Sequence, residues 1–184
     1  MKIKSLTIYC SSSNNLDSIF YETGKKITEI IAELSYSIVY GGGQVGLMGI
    51  VAKKALSLGV NVTGVIPEFL NTKEIMFEEI TSLKVVKDMS QRKKLLFDLG
   101  DAFIALPGGT GTIEEITEII SWKVLGLHNK PILFYNINDF WNPLLKQFKL
   151  IDEKNFGNIN LQSIFQTIDT PEQLKEKLKS WKKK

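Results

Sequence analysis

A glycine-rich loop followed by two carboxylates is the part of the sequence best equipped for chemistry. The loop is Pro107-Gly108-Gly109-Thr110-Gly111-Thr112, and Glu114 and Glu115 come directly behind it. It follows the apolar run 102–106, which is typical of a central parallel strand, and it precedes a helical pattern. Glycines let the backbone approach a ligand closely, and the free N–H groups at a helix start bind anions. The loop is therefore predicted to cradle a phosphate in front of the two carboxylates.

The same residues also have a purely structural explanation. Thr112-Ile113-Glu114-Glu115 matches a capping box, in which Thr112 caps the helix and Glu115 is its third residue. Spacing alone does not decide whether Glu115 caps the helix or acts in catalysis. The two roles are compatible, because a capping side chain is held rigidly. The loop lacks the lysine of a Walker A motif, which argues against ATP hydrolysis of the P-loop kind.

Arg92 and Lys93 form a second candidate for anion binding. Ser90 is predicted to cap a helix that runs to Leu99, which puts both cations in its first turn. Cations at this position interact unfavourably with the helix dipole, whereas a bound anion would make the electrostatic interaction favourable. A planar guanidinium suits phosphate because it donates two hydrogen bonds at once. A solvated surface pair is the alternative. Met89, just ahead, is either a core residue or a flat wall for a base.

A second glycine loop, Gly41 to Gly46, matches the pattern G-x-G-x-x-G. The pattern suggests a dinucleotide site, with Glu68 as a candidate ribose ligand. However, the glycines follow the second predicted strand rather than the first, and Glu68 follows a proline in a predicted loop. A tight strand-to-helix turn with close packing explains the pattern as well, so a nicotinamide site is disfavoured.

Composition excludes several other classes of chemistry. The chain of 184 residues has one cysteine, Cys10, and one histidine, His128, which supply neither a disulfide nor a zinc site nor a catalytic triad. The net charge of +3 equals the three lysines at positions 182–184, so it does not argue for nucleic acid. No apolar run is long enough to span a membrane, and no signal-peptide layout is present. We expect a cytoplasmic protein with no metal site.

Strand and helix patterns alternate along the chain, which predicts an α/β fold with a mainly parallel sheet. Strands are predicted near residues 6–10, 37–40, 61–66, 82–86, 102–106 and 131–135, and helices near 17–34, 47–58, 90–99, 112–125 and 171–181. Residues 68–79 are predicted to form a loop over the site. Without repeats or linkers, 1–184 is expected to be one domain, with 181–184 a frayed basic tail. The helix at 112–125 is apolar nearly all round, which predicts either a dimer interface or deep burial.

Taken together, these motifs resemble the LONELY GUY family of cytokinin riboside 5'-monophosphate phosphoribohydrolases, whose members are often mislabelled as lysine decarboxylases. The family signature P-G-G-x-G-T-x-x-E matches residues 107–115, and its motif M-x-x-R-K matches residues 89–93. Residues 40–49 look like its glycine loop, and 102–106 look like its central strand. Residues 122–128 are also similar. The resemblance covers residues 6–150.

The resemblance implies a Rossmann-like three-layer α/β/α fold, a homodimer and an N-glycosyl hydrolase. The reaction would hydrolyse the N-glycosidic bond of adenosine-type 5'-monophosphates, AMP or N6-substituted AMP, to the free base and ribose 5-phosphate. The family's catalytic residues correspond to Arg92 and Glu115. Its substrate-binding positions correspond to Glu74, Lys93, Glu114 and the loop Gly108, Gly109, Thr110, Gly111 and Thr112, to which we add Met89, Ser12, Gly42 and Gly43.

Some positions depart from the family pattern. Ser11, Gln44 and Thr110 replace residues that are commoner in relatives, which puts the base preference in doubt. No cofactor is expected, because decarboxylation would need a pyridoxal phosphate on a lysine and nothing singles out such a lysine. Two other functions stay open: a non-catalytic nucleotide or molybdenum-cofactor carrier on the same fold, and an NAD(P)-dependent oxidoreductase that uses residues 41–46.

Overall fold

The computed structural model describes residues 2–72 and 75–182, and it confirms the α/β prediction. Seven parallel strands form one sheet in the order β4-β3-β2-β1-β5-β6-β7. Their bounds are β1 Ser5–Tyr9, β2 Ser37–Tyr40, β3 Val62–Pro67, β4 Ser82–Val86, β5 Ala102–Ala105, β6 Ile132–Tyr135 and β7 Gln166–Ile168. The helices between them are α1 Ser18–Glu33, α2 Gly46–Ser57, α3 Met89–Leu99, α4 Thr110–Val124, α5 Asn142–Glu153 and α6 Pro171–Lys182.

The buried side chains fall into two apolar clusters, one on each face of the sheet. One contains Ile8, Ile38 and Ile104 from the central strands, together with residues of α1, α2 and α6. The other contains Tyr9, Phe103 and Phe134 from β1, β5 and β6, together with residues of α3, α4 and α5. Successive strand residues point to opposite faces, so continuous apolar strands such as β5 require a helical layer on both sides. The result is the Rossmann-like three-layer arrangement.

Two predicted helix caps are wrong. Helix α3 begins at Met89 rather than after Ser90, and the Asp88 carboxylate accepts a hydrogen bond of 2.8 Å from the N–H of Gln91. Arg92 and Lys93 are therefore the fourth and fifth residues of α3, beyond the first turn where the sequence placed them.

Helix α4 begins at Thr110, two residues before the predicted start. Its N-cap is Gly109, which makes no side-chain capping bond. Thr112 is the third helical residue and Glu115 the sixth, so the capping box does not form. Glu115 is thereby free of a capping role.

The C-terminal third contains elements that the sequence did not reveal. Helix α5 and the short edge strand β7 lie between β6 and α6. Trp181, grouped with the basic tail in the prediction, lies in α6 and is buried in the core, and the tyrosine hydroxyl of Tyr36 donates a 2.8 Å hydrogen bond to the Leu178 carbonyl. The predicted tail at 181–184 is wrong for Trp181 and Lys182. None of the helices in residues 2–72 and 75–182 is long and apolar enough to cross a membrane.

Candidate active site

The candidate site lies where the order of the strands reverses. The chain runs outward from β1 to β2, β3 and β4, and then returns to the other side of β1 with β5. In open α/β sheets, ligands bind outside the carboxyl ends of the strands at such a switch point. A cavity of about 520 Å³ is found there. Its lining consists of Cys10, Ser11, Ser12, Ser13, Gly41, Gly43, Val45, Met48, Ile66, Leu70, Ile75, Arg92, Gly109, Thr110, Gly111, Thr112 and Glu115.

Ser11 ties the loops around the cavity together. Its N–H donates to the Pro107 carbonyl at 3.1 Å, and its own carbonyl accepts from the N–H of Met48 at 3.1 Å. A single residue in the loop that follows β1 therefore connects the loop behind β5 with the start of α2. These bonds fix the spacing between the two glycine loops.

A buried ion pair between Arg92 and Glu115 forms the charged wall of the cavity. The Arg92 Nη1 donates to the Glu115 Oε1 at 3.1 Å, and the two side chains are only 11% and 10% exposed. The guanidinium also donates through Nε to the Val65 carbonyl at 3.1 Å and through Nη2 to the Gly41 carbonyl at 3.3 Å. Arg92 is thus held on three sides by protein groups.

The environment of Glu115 raises the pKa of its carboxyl from 4.5 to about 7. Desolvation by burial is the main cause, because the charged form loses its hydration. The Arg92 guanidinium acts in the opposite direction and lowers the pKa, and the nearby Glu114 raises it again. A carboxyl poised near neutral pH in a cavity is a common feature of catalytic sites.

The start of helix α4 presents backbone donors to the same cavity. The first hydrogen bond of the helix runs from the N–H of Ile113 to the Gly109 carbonyl, so the N–H groups of Thr110, Gly111 and Thr112 precede it. Gly109, Thr110 and Gly111 are exposed and line the cavity, whereas Thr112 is buried. Unpaired N–H groups and the positive end of the helix dipole favour an anion at this position.

Another part of the cavity lining is apolar. Met48 from α2, Ile66 from β3 and the loop residues Leu70 and Ile75 form it. The segment that carries Ile75 is joined to the first glycine loop: the N–H of Gln44 donates to the Ile75 carbonyl at 2.8 Å, and the N–H of Phe77 donates to the Gly42 carbonyl at 3.0 Å. The site therefore has an anion-binding end, a carboxylate and an apolar wall.

Lys93 and Glu114 pair with each other rather than facing the cavity. The Lys93 ammonium contacts the carboxylates of Glu114 and, at 3.1 Å, Glu118. The pKa of Lys93 is raised, first by the hydrogen bond to Glu114. Two residues predicted to bind substrate thus form an ion-pair network on the neighbouring faces of α3 and α4.

The other predicted site residues divide into three groups. Ser12, Gly43 and the loop residues 109–112 line the cavity together with Arg92 and Glu115. Gly42, Gly108 and Met89 are not part of its lining, and Gly108 packs so tightly against Thr112 that a Cβ there would lie 2.1 Å from the threonine hydroxyl. Glu74 lies outside the described residues.

Several cavity residues were not among the substrate-binding or catalytic residues named from the sequence: Cys10, Ser11, Ser13, Gly41, Val45, Met48, Ile66, Leu70 and Ile75. The rule that ligands bind beyond the carboxyl ends of strands could have found those behind β1 and β2. Leu70 and Ile75 belong to the segment 68–79, which was predicted to form a loop over the site, although no sequence signal singled out these two residues. Among residues 2–72 and 75–182, no group of three or more His, Cys, Asp or Glu side chains could hold a metal ion.

The fold and site define a Rossmann-like protein with an anion-binding helix start and a buried carboxylate at its switch point. A family model described as "Possible lysine decarboxylase" matches residues 48–178. The chain is also similar to curated members of the LONELY GUY group, and it belongs to this family.

Two relatives illustrate the similarity. A cytokinin riboside 5'-monophosphate phosphoribohydrolase from Rhodococcoides fascians is 46% identical over 143 residues, which are 77% of this chain and 72% of the relative. A probable enzyme of the same name, LOGL2, from Oryza sativa subsp. japonica is 37% identical over 180 residues, which are 98% of this chain and 74% of the relative.

Solved structures share the fold at low sequence identity. The molybdenum cofactor binding protein from Rippkaea orientalis has a TM-score of 0.72 at 18% identity, with 98% of each chain covered. The molybdenum cofactor carrier protein from Chlamydomonas reinhardtii has a TM-score of 0.72 at 16% identity, with 99% of each chain covered. At these identities the likeness concerns the fold alone.

Proposed function

We propose that this chain is an N-glycosyl hydrolase that cleaves nucleoside 5'-monophosphates of the adenosine type into free base and ribose 5-phosphate. Its relatives in the family are named for this reaction on cytokinin riboside 5'-monophosphates. The observation that carries the proposal is the placement of the Glu115 carboxylate in the cavity wall beside the start of α4.

Each part of the cavity has a role in the proposed reaction. The N–H groups at the start of α4 bind the 5'-phosphate, which fixes the sugar above Glu115. Breaking the glycosidic bond develops positive charge at the anomeric carbon. The Glu115 carboxylate stabilises that charge and orients a water molecule for attack. Arg92 holds Glu115 in place and favours its charged form.

The apolar wall suits the base. Met48, Ile66, Leu70 and Ile75 offer the kind of surface on which a flat aromatic base packs, and an apolar N6 substituent would extend the same contact. Among the described residues that line the cavity there is no lysine.

Chromatographic detection of free base tests the proposal. The purified chain is incubated with AMP, with N6-isopentenyl-AMP and with adenosine, which lacks the phosphate. We expect base and ribose 5-phosphate in equal amounts from at least one monophosphate, and a kcat/KM at least ~10²-fold lower for adenosine, because the anchoring anion is missing. Failure to release base from either monophosphate contradicts the proposal.

Binding measurements on the same protein preparation separate the two other candidate functions. A carrier of nucleotide or molybdenum cofactor would bind its ligand without releasing a product. An oxidoreductase would show saturable binding of NAD(P). Equilibrium binding of AMP and of NAD(P) to the same preparation therefore accompanies the assay.

We also propose that the protein is a cytoplasmic homodimer. The exposed face of α4 carries Ile113, Thr117, Ser121 and, just beyond its end, Leu125. The hydroxyls of Thr117 and Ser121 donate to the carbonyls of Ile113 and Thr117, so their polarity is satisfied within the helix. A face with apolar ends and small, satisfied residues between them suits packing against a second copy.

A further inference from the structure

The glycine loop at residues 41–46 suggested a dinucleotide site from its sequence, yet the structure gives its first glycine another environment. A Cβ added at Gly41 would lie 2.2 Å from the Nη2 atom and 3.4 Å from the Cζ atom of Arg92, and 3.1 Å from the Sδ atom of Met48. Contacts below 3.0 Å are not seen for real Cβ atoms, so the guanidinium occupies the space that a side chain at position 41 would take. The Gly41 carbonyl also accepts the Nη2 hydrogen bond.

The backbone conformation does not explain this glycine. Gly42 and Gly46 have φ angles of +78° and +60°, where residues with side chains are strained. Gly41 is not among the residues of positive φ, so alanine can adopt its backbone conformation. The main obstacle to a side chain at position 41 is therefore the Arg92 guanidinium, and the Met48 sulfur is a second, less close one.

We infer that Gly41 is a positioning residue for the proposed hydrolase: its missing side chain forms a slot that seats the Arg92 guanidinium against Glu115. The inference rests on the proposed function for its effect on turnover, but not for its effect on structure. Gly41 directly follows β2 and Val65 lies in the neighbouring strand β3, each one residue beyond the pair Tyr40 and Gly64. Together their carbonyls bind Nη2 and Nε, which directs Nη1 to the Glu115 carboxylate.

Seating of Arg92 also controls the ionisation of Glu115. The charged or titratable groups that act on Glu115 are Arg92 and Lys93 from α3, and Glu114 and Glu118 from α4, while Tyr9 and Cys10 of the β1 end are themselves affected by its charge. Of these, the Arg92 guanidinium contributes most to lowering the pKa of Glu115. If Arg92 is displaced, the pKa of Glu115 rises and the carboxylate forms only at higher pH.

Gly41→Ala tests the effect on turnover. We expect kcat to fall by ~10²-fold, as for other small displacements in an active site. The limb of the kcat/KM profile that follows ionisation of Glu115 should move to higher pH. Gly157→Ala is the control, because a Cβ there meets nothing closer than 3.7 Å and the residue is remote from the cavity lining. It should keep both kcat and the pH profile of the wild type. An unchanged pH profile in Gly41→Ala overturns the inference.

A thermal-stability cycle tests the slot without any assay of activity. Gly41→Ala is expected to lower Tm by about 5 °C or more, because overpacking must displace the guanidinium. On an Arg92→Ala background the same change should lower Tm by much less, because the closest colliding atoms are gone and only the flexible Met48 side chain has to shift. If Gly41→Ala alone does not fold, the double variant should fold. Equal losses of Tm on both backgrounds, or a double variant that does not fold, overturn the inference. This cycle keeps its meaning even if the wild type releases no base.

Discussion

The Arg92–Glu115 pair combines two features that oppose each other. Burial penalises the charged carboxylate, while the guanidinium 3.1 Å away favours it. Burial is the stronger effect, since the pKa of Glu115 ends near 7 rather than below its usual 4.5. A buried ion pair of this kind adds little to stability, because desolvation of both charges offsets their attraction. Its geometry serves a proposed chemical role instead.

This balance predicts how stability depends on pH. The folded protein holds the Glu115 proton up to a pH of about 7, whereas an unfolded chain releases it near 4.5. Between these values the folded state binds more protons, so the free energy of unfolding falls as pH rises. Relative to Glu115→Gln, which does not titrate, the wild type should lose up to about 3 kcal/mol between pH 4 and pH 8.

Urea unfolding of both proteins across this range measures the difference. Their dependences on urea concentration should match, so that the difference reflects stability alone. A wild type whose stability stays parallel to that of Glu115→Gln would show that the carboxyl keeps an ordinary pKa.

At the scale of elements, two helix starts carry the site, and their N-cap residues are an aspartate and a glycine rather than hydroxyl residues. The Asp88 carboxylate caps α3, and the Gln91 Oε1 accepts a hydrogen bond of 3.2 Å from the N–H of Lys87. Gly109 is the N-cap of α4 and offers no capping side chain. The uncapped donors at the start of α4 are the ones left for a ligand.

The cap of α3 is directly testable with a pair of neighbouring alanine variants. Asp88→Ala should lower the free energy of unfolding by about 1 kcal/mol, because the N–H of Gln91 loses its acceptor. Ser90→Ala is the matched control, since Ser90 is exposed and was the cap predicted from the sequence. It should change stability by less than about 0.5 kcal/mol. A larger loss for Ser90→Ala than for Asp88→Ala, measured by chemical denaturation, would reverse the assignment.

The sequence predicts elements better than it predicts their ends. Strands β2 and β4 match their predicted bounds, because short apolar runs between loops leave little choice of register. The starts of α3 and α4 were misplaced because several residues nearby have good capping chemistry, and tertiary contacts choose among them. Strand β7 has only three residues, which is too short for a periodic pattern, and α5 has Phe148 as its one fully buried residue.

The candidate site shows the same limit. Arg92, Glu115 and the loop 109–112 could be predicted because motif spacing and family resemblance identify them. The slot formed by Gly41 could not, because it depends on the approach of two residues that are 51 positions apart in the chain. The placement of Lys93 and Glu114 away from the cavity could not be predicted either, because it depends on which faces of α3 and α4 pack together.

At the scale of the whole molecule, the sheet order brings together loops from distant parts of the chain. The segments behind β1, β2 and β5 meet at one cavity because β1 lies between β2 and β5. Helices cover both faces of the sheet, and α4 is buried on one side only. Its buried side carries Ile116, Ile119 and Ile120. Its other face is open for a partner.

The proposed homodimer leads to a prediction of mass. Sedimentation equilibrium at micromolar concentration should give twice the chain mass of 20.8 kDa. Ile113→Lys together with Leu125→Lys should shift the protein to a monomer, because two buried charges facing their symmetry mates are costly to desolvate. Lys179→Ala on the remote helix α6 should leave the mass unchanged. A wild type that sediments as a monomer would remove α4 as an interface.

The central claim is that Glu115 carries out hydrolysis, and a single-turnover assay of base release tests it most directly. Glu115→Gln preserves the size of the side chain and removes its charge, while Glu118→Gln makes the same change one turn away and off the cavity lining. With enzyme in excess over the monophosphate, we predict a loss of at least ~10²-fold in Glu115→Gln and a change of only a few-fold in Glu118→Gln. A folded Glu115→Gln protein that releases base at the wild-type rate would contradict the account.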